Sequence, residues 1–188
     1  MEGKVIIFSA PSGAGKTTVV KHILSLYSEM EFSVSACSRP KRPNEMDGKD
    51  YFFITAEEFR VKIEKGEFLE WEEVYENCFY GTLRSELSRI WKSVHVVVFD
   101  VDVKGGINLK RIFGDNAMSV FISPPDLETL EQRLRNRSTD SEESLQKRLN
   151  KAGWEMQFSS QFDKIIVNNE LSKTYQEAEQ IVKEWINN

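Results

Sequence analysis

Between Val5 and Leu24 the chain reads VIIFSAPSGAGKTTVVKHIL: an apolar burst, a glycine-bearing loop and a helical stripe. Few folds accept that succession. Val5 to Phe8 is apolar without alternation, which marks a strand buried on both faces, as in a parallel sheet. Val19, Val20, Ile23, Leu24 and Tyr27 then share one helical face. A loop between such elements can turn successive backbone N–H groups inward around phosphate oxygens. It needs glycine where a side chain would fill the cradle or where φ is positive. Gly13 and Gly15 meet that need, Lys16 adds charge at the β and γ phosphates, and the Thr17 hydroxyl suits magnesium. Ala10 stands where such loops have their first glycine, at the bend before Pro11. Alanine is permitted wherever φ is negative, so a negative φ at Ala10 and a working loop are expected.

The same signals recur downstream. Val96 to Phe99, Val120 to Ile122 and Ile165 to Val167 are further buried-strand runs. Leu127, Leu130 and Leu134 fall on one helical face after Pro124-Pro125, and a last helix opens at Ser172 with Ala178, Ile181, Val182 and Trp185 inward. Alternating strands and helices indicate a layered α/β domain. With 188 residues, 40% of them hydrophobic, the chain can bury one sizeable core and is short for two.

Two stretches break the rhythm. From about 34 to 85 the chain carries the alternating Phe32, Val34 and Ala36, a turn at Asp47-Gly48 and the aromatic run Tyr51 to Ile54. A helix follows, with Thr55 and Glu58 in capping-box spacing and Gly66 as its stop. This reads as a small, mostly β insertion. From about 127 to 155, RLRNRSTDSEESLQKRL is helical, charged and poor in residues that could face a core, so a mobile segment is expected.

A net charge of −5 argues against a surface built to attract nucleic acid or anionic lipid, so an anionic ligand requires a local basic cluster. Cys37 and Cys78 lie outside any metal-ligand spacing and read as free thiols in a reducing compartment. No apolar run approaches the ~18 residues of a membrane span, and the first is too short for a signal peptide, which points to the cytoplasm. Nothing in the sequence decides between a monomer and a homo-oligomer.

One basic cluster is SVSACSRPKRPNEMDGKDY, with Arg39 and Arg42 three apart and Tyr51 downstream. Guanidinium forks match phosphate, and a tyrosine hydroxyl can complete the clamp; equally, Glu45, Asp47 and Asp50 could neutralise a solvated basic loop. Asp100 ends the strand VVVFD, where open α/β sheets hold ligands, although an aspartate there can also cap the next turn.

With these residues in place the chain resembles the guanylate kinases along almost its whole length. The resemblance rests on APSGAGKTT, FSVSACSRPKRPNEMDGKDYFF, FLEWEEV followed by FYGT, VVVFDVDVKGG, SPPDLETLEQRLRNRSTDSEESLQKRL and IIVNNEL, in the family's order. It implies one domain over 1–188 with a three-layer P-loop NTPase core and a parallel sheet (1–33, 86–126 and 156–188). To this core are added a small mixed α+β GMP-binding insertion (34–85) and a helical lid (127–155). The implied reaction moves a phosphoryl group from ATP to GMP, and to dGMP, with Mg2+, giving ADP and GDP.

Carried over residue by residue, the resemblance assigns Ala10, Pro11, Ser12, Gly13, Ala14, Gly15, Lys16, Thr17 and Thr18 to ATP, with Asn168 near the adenine. Arg39, Arg42, Tyr51 and Tyr80 would clamp the GMP phosphate, and Ser35, Glu70, Gly81, Thr82 and Asp102 would form the guanine pocket. Arg133, Arg137 and Arg148 would close onto the ATP phosphates and, with Lys16, Arg39 and Arg42, stabilise the transferred group. Thr17 and, through water, Asp100 would hold the metal. Chemistry supports Glu70 separately: guanine presents adjacent N1–H and N2–H donors that one carboxylate accepts together, and adenine lacks the pair.

Arg135 and Lys147 read as solvated helix charges. Asn44 replaces a family glycine and is expected to tolerate a positive φ. YENCFYGT is one residue longer than in some relatives, which leaves the register between Glu70 and Tyr80 open. Two alternatives stand beside this reading: a kinase for another nucleoside monophosphate, and a non-catalytic guanylate-kinase-like interaction module. Lys16, Thr17 and the lid arginines argue for catalysis.

Overall fold

The apolar runs assemble into a five-stranded sheet. A computed structural model describes residues 3–93, 96–137 and 142–187. In chain order the elements begin with β1 (Lys4–Ser9), α1 (Lys16–Leu26), β2 (Met30–Phe32), β3 (Ala36–Cys37), β4 (Phe52–Phe53), α2 (Ala56–Glu64), β5 (Phe68–Tyr75) and β6 (Cys78–Leu83). They continue with α3 (Arg84–Ile90), β7 (Val96–Val101), α4 (Val103–Phe113), β8 (Ala117–Ser123), α5 (Leu127–Arg137), α6 (Glu142–Met156), β9 (Lys164–Val167) and α7 (Leu171–Asn187).

The core sheet has the order β2-β7-β1-β8-β9, and every pairing in it is parallel. Ile6 and Phe8 of β1 pack with Val20, Ile23, Ala178 and Val182 of α1 and α7. Val5 and Ile7 face the other way, against Leu87, Ile90, Leu109 and Phe113 of α3 and α4. All four β1 residues are fully buried, which is why the run has no polar alternation. The phosphate loop emerges at the carboxyl end of β1, the central strand, where such sheets hold their ligands.

A second, mixed sheet has the order β4-β3-β6-β5, and α2 lies on it. Phe59 of α2 stacks on Phe68 and Phe79 at 4.2 and 5.3 Å between ring centroids. Burial of a ring like this contributes about 1.5–3 kcal/mol, so a few aromatics hold the small insertion together. Both halves of the Thr55/Glu58 capping box are formed, and Gly66 follows the helix with φ +67°.

Several expectations need correction. Phe32, Val34 and Ala36 do not belong to one strand of one sheet: β2 ends at Phe32 in the core and β3 begins at Ala36 in the insertion. The turn at Asn44 does survive, as expected, and it does so without a positive φ. The Glu45 N–H bonds the Arg42 carbonyl at 3.1 Å, making Pro43-Asn44 the centre of a turn that asks for none. The left-handed asparagine is Asn77, φ 59°, at the tip of the β5–β6 hairpin. That hairpin also settles the register: Glu70 pairs with Thr82 and Glu72 with Tyr80, and Val74 is bulged between Glu73 and Tyr75.

The lid segment is less bare than its composition suggests. Leu130, Leu134, Leu145 and Ala152 form a small buried cluster, whereas Leu127, expected inward, is half exposed. A Cβ on Gly13 would stand 2.8 Å from Leu134 and 3.1 Å from Leu130, so α5 rests directly on the phosphate loop. Cys37 and Cys78 are free thiols. Among the described residues no helix is long and apolar enough to cross a membrane.

Candidate active site

The loop from Ala10 to Thr18 folds as the glycine spacing demands. Gly13 and Gly15 have φ +93° and +96°, and Gly15 caps α1, so the free N–H groups of that helix open towards the cleft. Ala10 is outside the positive-φ region and its methyl is buried in the core, so the residue in the first glycine's place is unstrained. Lys16 Nζ donates to the Val101 carbonyl at 2.5 Å and pairs with Asp100 Oδ1. The Thr17 hydroxyl donates to Asp100 Oδ2 at 2.8 Å. Asp100 therefore belongs to the loop, and the capping role falls to Asp102, whose Oδ1 accepts the Gly105 N–H at the start of α4.

Across a cleft of about 1070 Å³ stand the side chains of the insertion. Arg39, Arg42, Tyr51 and Tyr80 all line it. Arg39 donates through Nε to the Tyr80 hydroxyl at 3.0 Å and lies over the Tyr51 ring, 5.0 Å from its centroid. Glu45 grips the same guanidinium with both oxygens at 2.6 Å, and this bond holds the Glu45 carboxyl below its usual range. Of the three acids that could neutralise the basic loop only Glu45 does so; Asp47 and Asp50 accept the backbone N–H groups of Phe53 and Met46. Burial pushes the Tyr80 hydroxyl up to about 12, so it stays a donor at neutral pH, and the Tyr51 hydroxyl is raised for the same reason.

Ser35, Glu70, Gly81 and Asp102 line the same cleft, with Thr82 buried behind. A bulge at Leu69, between the Phe68/Leu83 and Glu70/Thr82 pairs, turns Phe68 to α2 and Glu70 to the cleft. Without it both would share one face of β5. The Thr82 hydroxyl donates to Glu70 Oε1 at 2.7 Å. Glu70 is only 8% exposed, and burial raises its carboxyl to about 7, the Thr82 bond acting against that rise and Asp102 reinforcing it.

The lid contributes Arg133 and Arg148. Arg148 Nη2 donates to the Ser12 hydroxyl of the loop at 2.7 Å. Arg133 Nη2 donates to the Asn168 carbonyl at 2.9 Å, while its Nη1 is buried without a hydrogen-bond partner beside the cleft, a donor suited to an anionic oxygen. Arg137 ends α5, and its side chain lies outside the described residues. Arg135 pairs with Glu131 and Glu142, and Lys147 with Glu143, as surface charges.

Asn168 is buried against the loop. Its amide donates to the Ala14 carbonyl at 2.8 Å and its Oδ1 accepts the Thr174 hydroxyl at 3.0 Å, so it braces the loop from behind and does not line the cleft. Lys151 and Glu155 of α6 do line it and escaped the sequence reading. Their signal was helical spacing: Lys151 lies one turn after Arg148, and Glu155 one turn after Lys151.

Comparison with known proteins agrees with this geometry. The guanylate kinase family model matches residues 2–185. The chain is 47% identical over 187 residues to a guanylate kinase of Bacteroides thetaiotaomicron, covering 100% of this chain and 92% of that protein. It is 42% identical over 183 residues to a guanylate kinase of Thermotoga maritima, covering 97% and 87%. The crystal structure of guanylate kinase from Anaplasma phagocytophilum superposes with a TM-score of 0.76 at 27% identity, covering 97% of this chain and 86% of that one. A phosphate loop carrying lysine, facing a buried carboxylate pocket across one cleft, together with this full-length similarity, places the chain in the guanylate kinase family, whose reaction is the phosphorylation of GMP by ATP.

Proposed function

We propose that phosphoryl transfer in this chain runs by positioning and charge neutralisation, with each group held by the residues described above. The observation that carries the proposal is the shared cleft: Lys16 on one wall, Arg39, Arg42, Tyr51 and Tyr80 on another, and the Arg133 Nη1 donor between loop and lid. GMP binds with its phosphate in the arginine–tyrosine clamp and its base against Glu70 and Asp102. The loop N–H groups and Lys16 hold the ATP phosphates. The GMP phosphate oxygen attacks the γ-phosphorus in line as the bond to the β,γ-bridging oxygen breaks and ADP leaves, and no side chain need act as a nucleophile. Lys16, the clamp arginines and the lid arginines Arg133 and Arg148 meet the charge that spreads over the transferred oxygens.

Thr17 and Asp100 offer a hydroxyl and a carboxylate side by side at the loop, hard oxygen donors that suit Mg2+. Among the described residues no cluster of three or more metal-ligating side chains stands elsewhere, which fits an ion completed by water and phosphate. When bound it would neutralise β- and γ-phosphate charge. Because the assigned contacts reach base and phosphate, dGMP is a second acceptor. Closure of the insertion and lid over the cleft would exclude water and spare ATP from hydrolysis.

A coupled assay across GMP, dGMP, AMP, UMP and dTMP, with and without Mg2+, tests the reading. Turnover confined to GMP and dGMP, and lost with chelator, is expected. Comparable turnover of AMP would overturn the base assignment.

A further inference from the structure

Lys151 sits on α6 where three parts of the molecule meet. Its ammonium is 3.3 Å from Glu155 Oε1 on its own helix, 4.0 Å from Asp102 Oδ2 in the core, and 5.4 Å from the ring centroid of Tyr75 in the insertion. Asp102 divides its oxygens: Oδ1 accepts the Gly105 N–H at 2.8 Å, and Oδ2 faces Lys151.

Glu70 approaches the same place from β5. A Cβ on Gly105 would stand 3.0 Å from Glu70 Oε2 and 3.1 Å from Asp102 Oδ1, so the bare α-carbon of that glycine is what lets the two carboxylates converge. Two like charges gathered in a partly buried pocket need an opposite charge nearby. Lys104 and Lys16 are other cations in the neighbourhood, but the Lys104 ammonium is bound to Glu72 at 2.5 Å and lies over Trp154, and that of Lys16 is taken by Asp100 and the Val101 carbonyl. Lys151 is the cation that reaches Asp102.

We propose that Lys151 is a positioning residue for base recognition: its ammonium fixes Asp102 opposite Glu70 and thereby ties the lid helix to the guanine pocket. This rests on the assignment of Glu70 and Asp102 to the base. Base binding and lid placement then share one ion pair, and any coupling between them is reciprocal. The side chains of Lys151 and Asp102 are each 24% exposed, so screening keeps the effect moderate.

The test is steady-state kinetics on Lys151→Met, Lys151→Arg, Glu155→Gln and Glu70→Gln, each checked for a native circular dichroism melt. Lys151→Met is expected to raise KM for GMP roughly 5- to 10-fold with kcat changed less than about twofold. Lys151→Arg should restore KM, because a fork of similar reach keeps the cation at Asp102. Glu155→Gln should raise KM for GMP less than Lys151→Met does, since it leaves the Asp102 contact in place. An unchanged KM in Lys151→Met overturns the proposal. So does a Glu155→Gln variant that reproduces the rise, because Lys151 would then only brace its own helix. A Glu70→Gln variant with unchanged KM overturns the base assignment itself, a failure distinct from that of the lysine.

Discussion

In the proposed reading the phosphate loop and the Glu70–Asp102 pocket share one cleft, yet they select their ligands by different physics. At the loop the selecting groups are backbone N–H donors, set by the left-handed φ of Gly13 and Gly15 and by the start of α1. One charge, Lys16, completes them. At the pocket the backbone contributes a scaffold and side chains do the selecting: Glu70 and Asp102, one on a bulged strand and the other at a helix cap. Backbone recognition reads phosphate, which every nucleotide carries. Side-chain recognition reads the donor pattern of one base, and it does so with Glu70, a group whose protonation the fold has shifted.

The contrast can be broken by substitution. Lys16→Ala should lower kcat by roughly 10²- to 10³-fold, the loss typical of a preorganised charge donor in the transition state. Steady-state assays with saturating ATP check this, and a defect confined to KM for ATP would make the loop a mere binder. Glu70→Gln should raise KM for GMP about 10-fold or more while sparing KM for ATP, since an amide donor replaces an acceptor facing N1–H and N2–H.

The same residue predicts a pH dependence. Because the Glu70 carboxyl is raised to about 7, the accepting carboxylate gains population as pH rises through that value. A plot of kcat/KM for GMP against pH should therefore show an acid limb near 7 that Glu70→Gln abolishes. The stability effect has the opposite sense. The folded protein holds this proton more tightly than the unfolded chain, so Glu70 favours folding below its ordinary value of 4.5 and that contribution is lost as pH rises towards about 7.

Smaller changes sharpen the picture. Thr82→Val removes the hydroxyl that favours the carboxylate form, so the acid limb should move upward and KM for GMP should rise roughly 3-fold at neutral pH. Arg135→Ala, on the exposed face of α5, should leave both kcat and KM within about twofold, measured in the same assay, because its ion pairs are open to solvent.

The two regions also differ in how far the sequence discloses them. The loop, β1, β7 and β8 follow from consecutive residues, since a doubly buried strand and a glycine cradle are local patterns. β9 forms where its apolar run stands, but as an edge strand with Ile165 and Val167 exposed and only Ile166 buried, so the expectation of a buried strand is corrected there. Glu70 in the acidic run EWEE reads locally as an exposed strand charge; only the bulge at Leu69 turns it inward, and no pattern announces a bulge. Asn168 reaches Ala14 across 154 residues of sequence, and Lys151 reaches Asp102 from a different helix, so neither role is written near the residue that has it. The lid looked bare because its leucines are few. They suffice because Leu130 and Leu134 rest against the phosphate loop.

The passage from β2 to β3 carries a consequence for how this chain tolerates changes of length. The Ser33 N–H still bonds Val98 of the core sheet, the Ser35 carbonyl already accepts Phe52 of the insertion, and the Val34 N–H between them is taken by the buried Glu86 carboxylate. There is no slack. One residue gained or lost here would turn Ser35 away from the cleft and misalign the insertion with β7, the strand that carries Asp100 at its far end. The hairpin at Glu76-Asn77, by contrast, already carries a bulge at Val74 while Glu70 and Thr82 stay paired. Insertions belong at that tip, and the crossing between the sheets keeps its count.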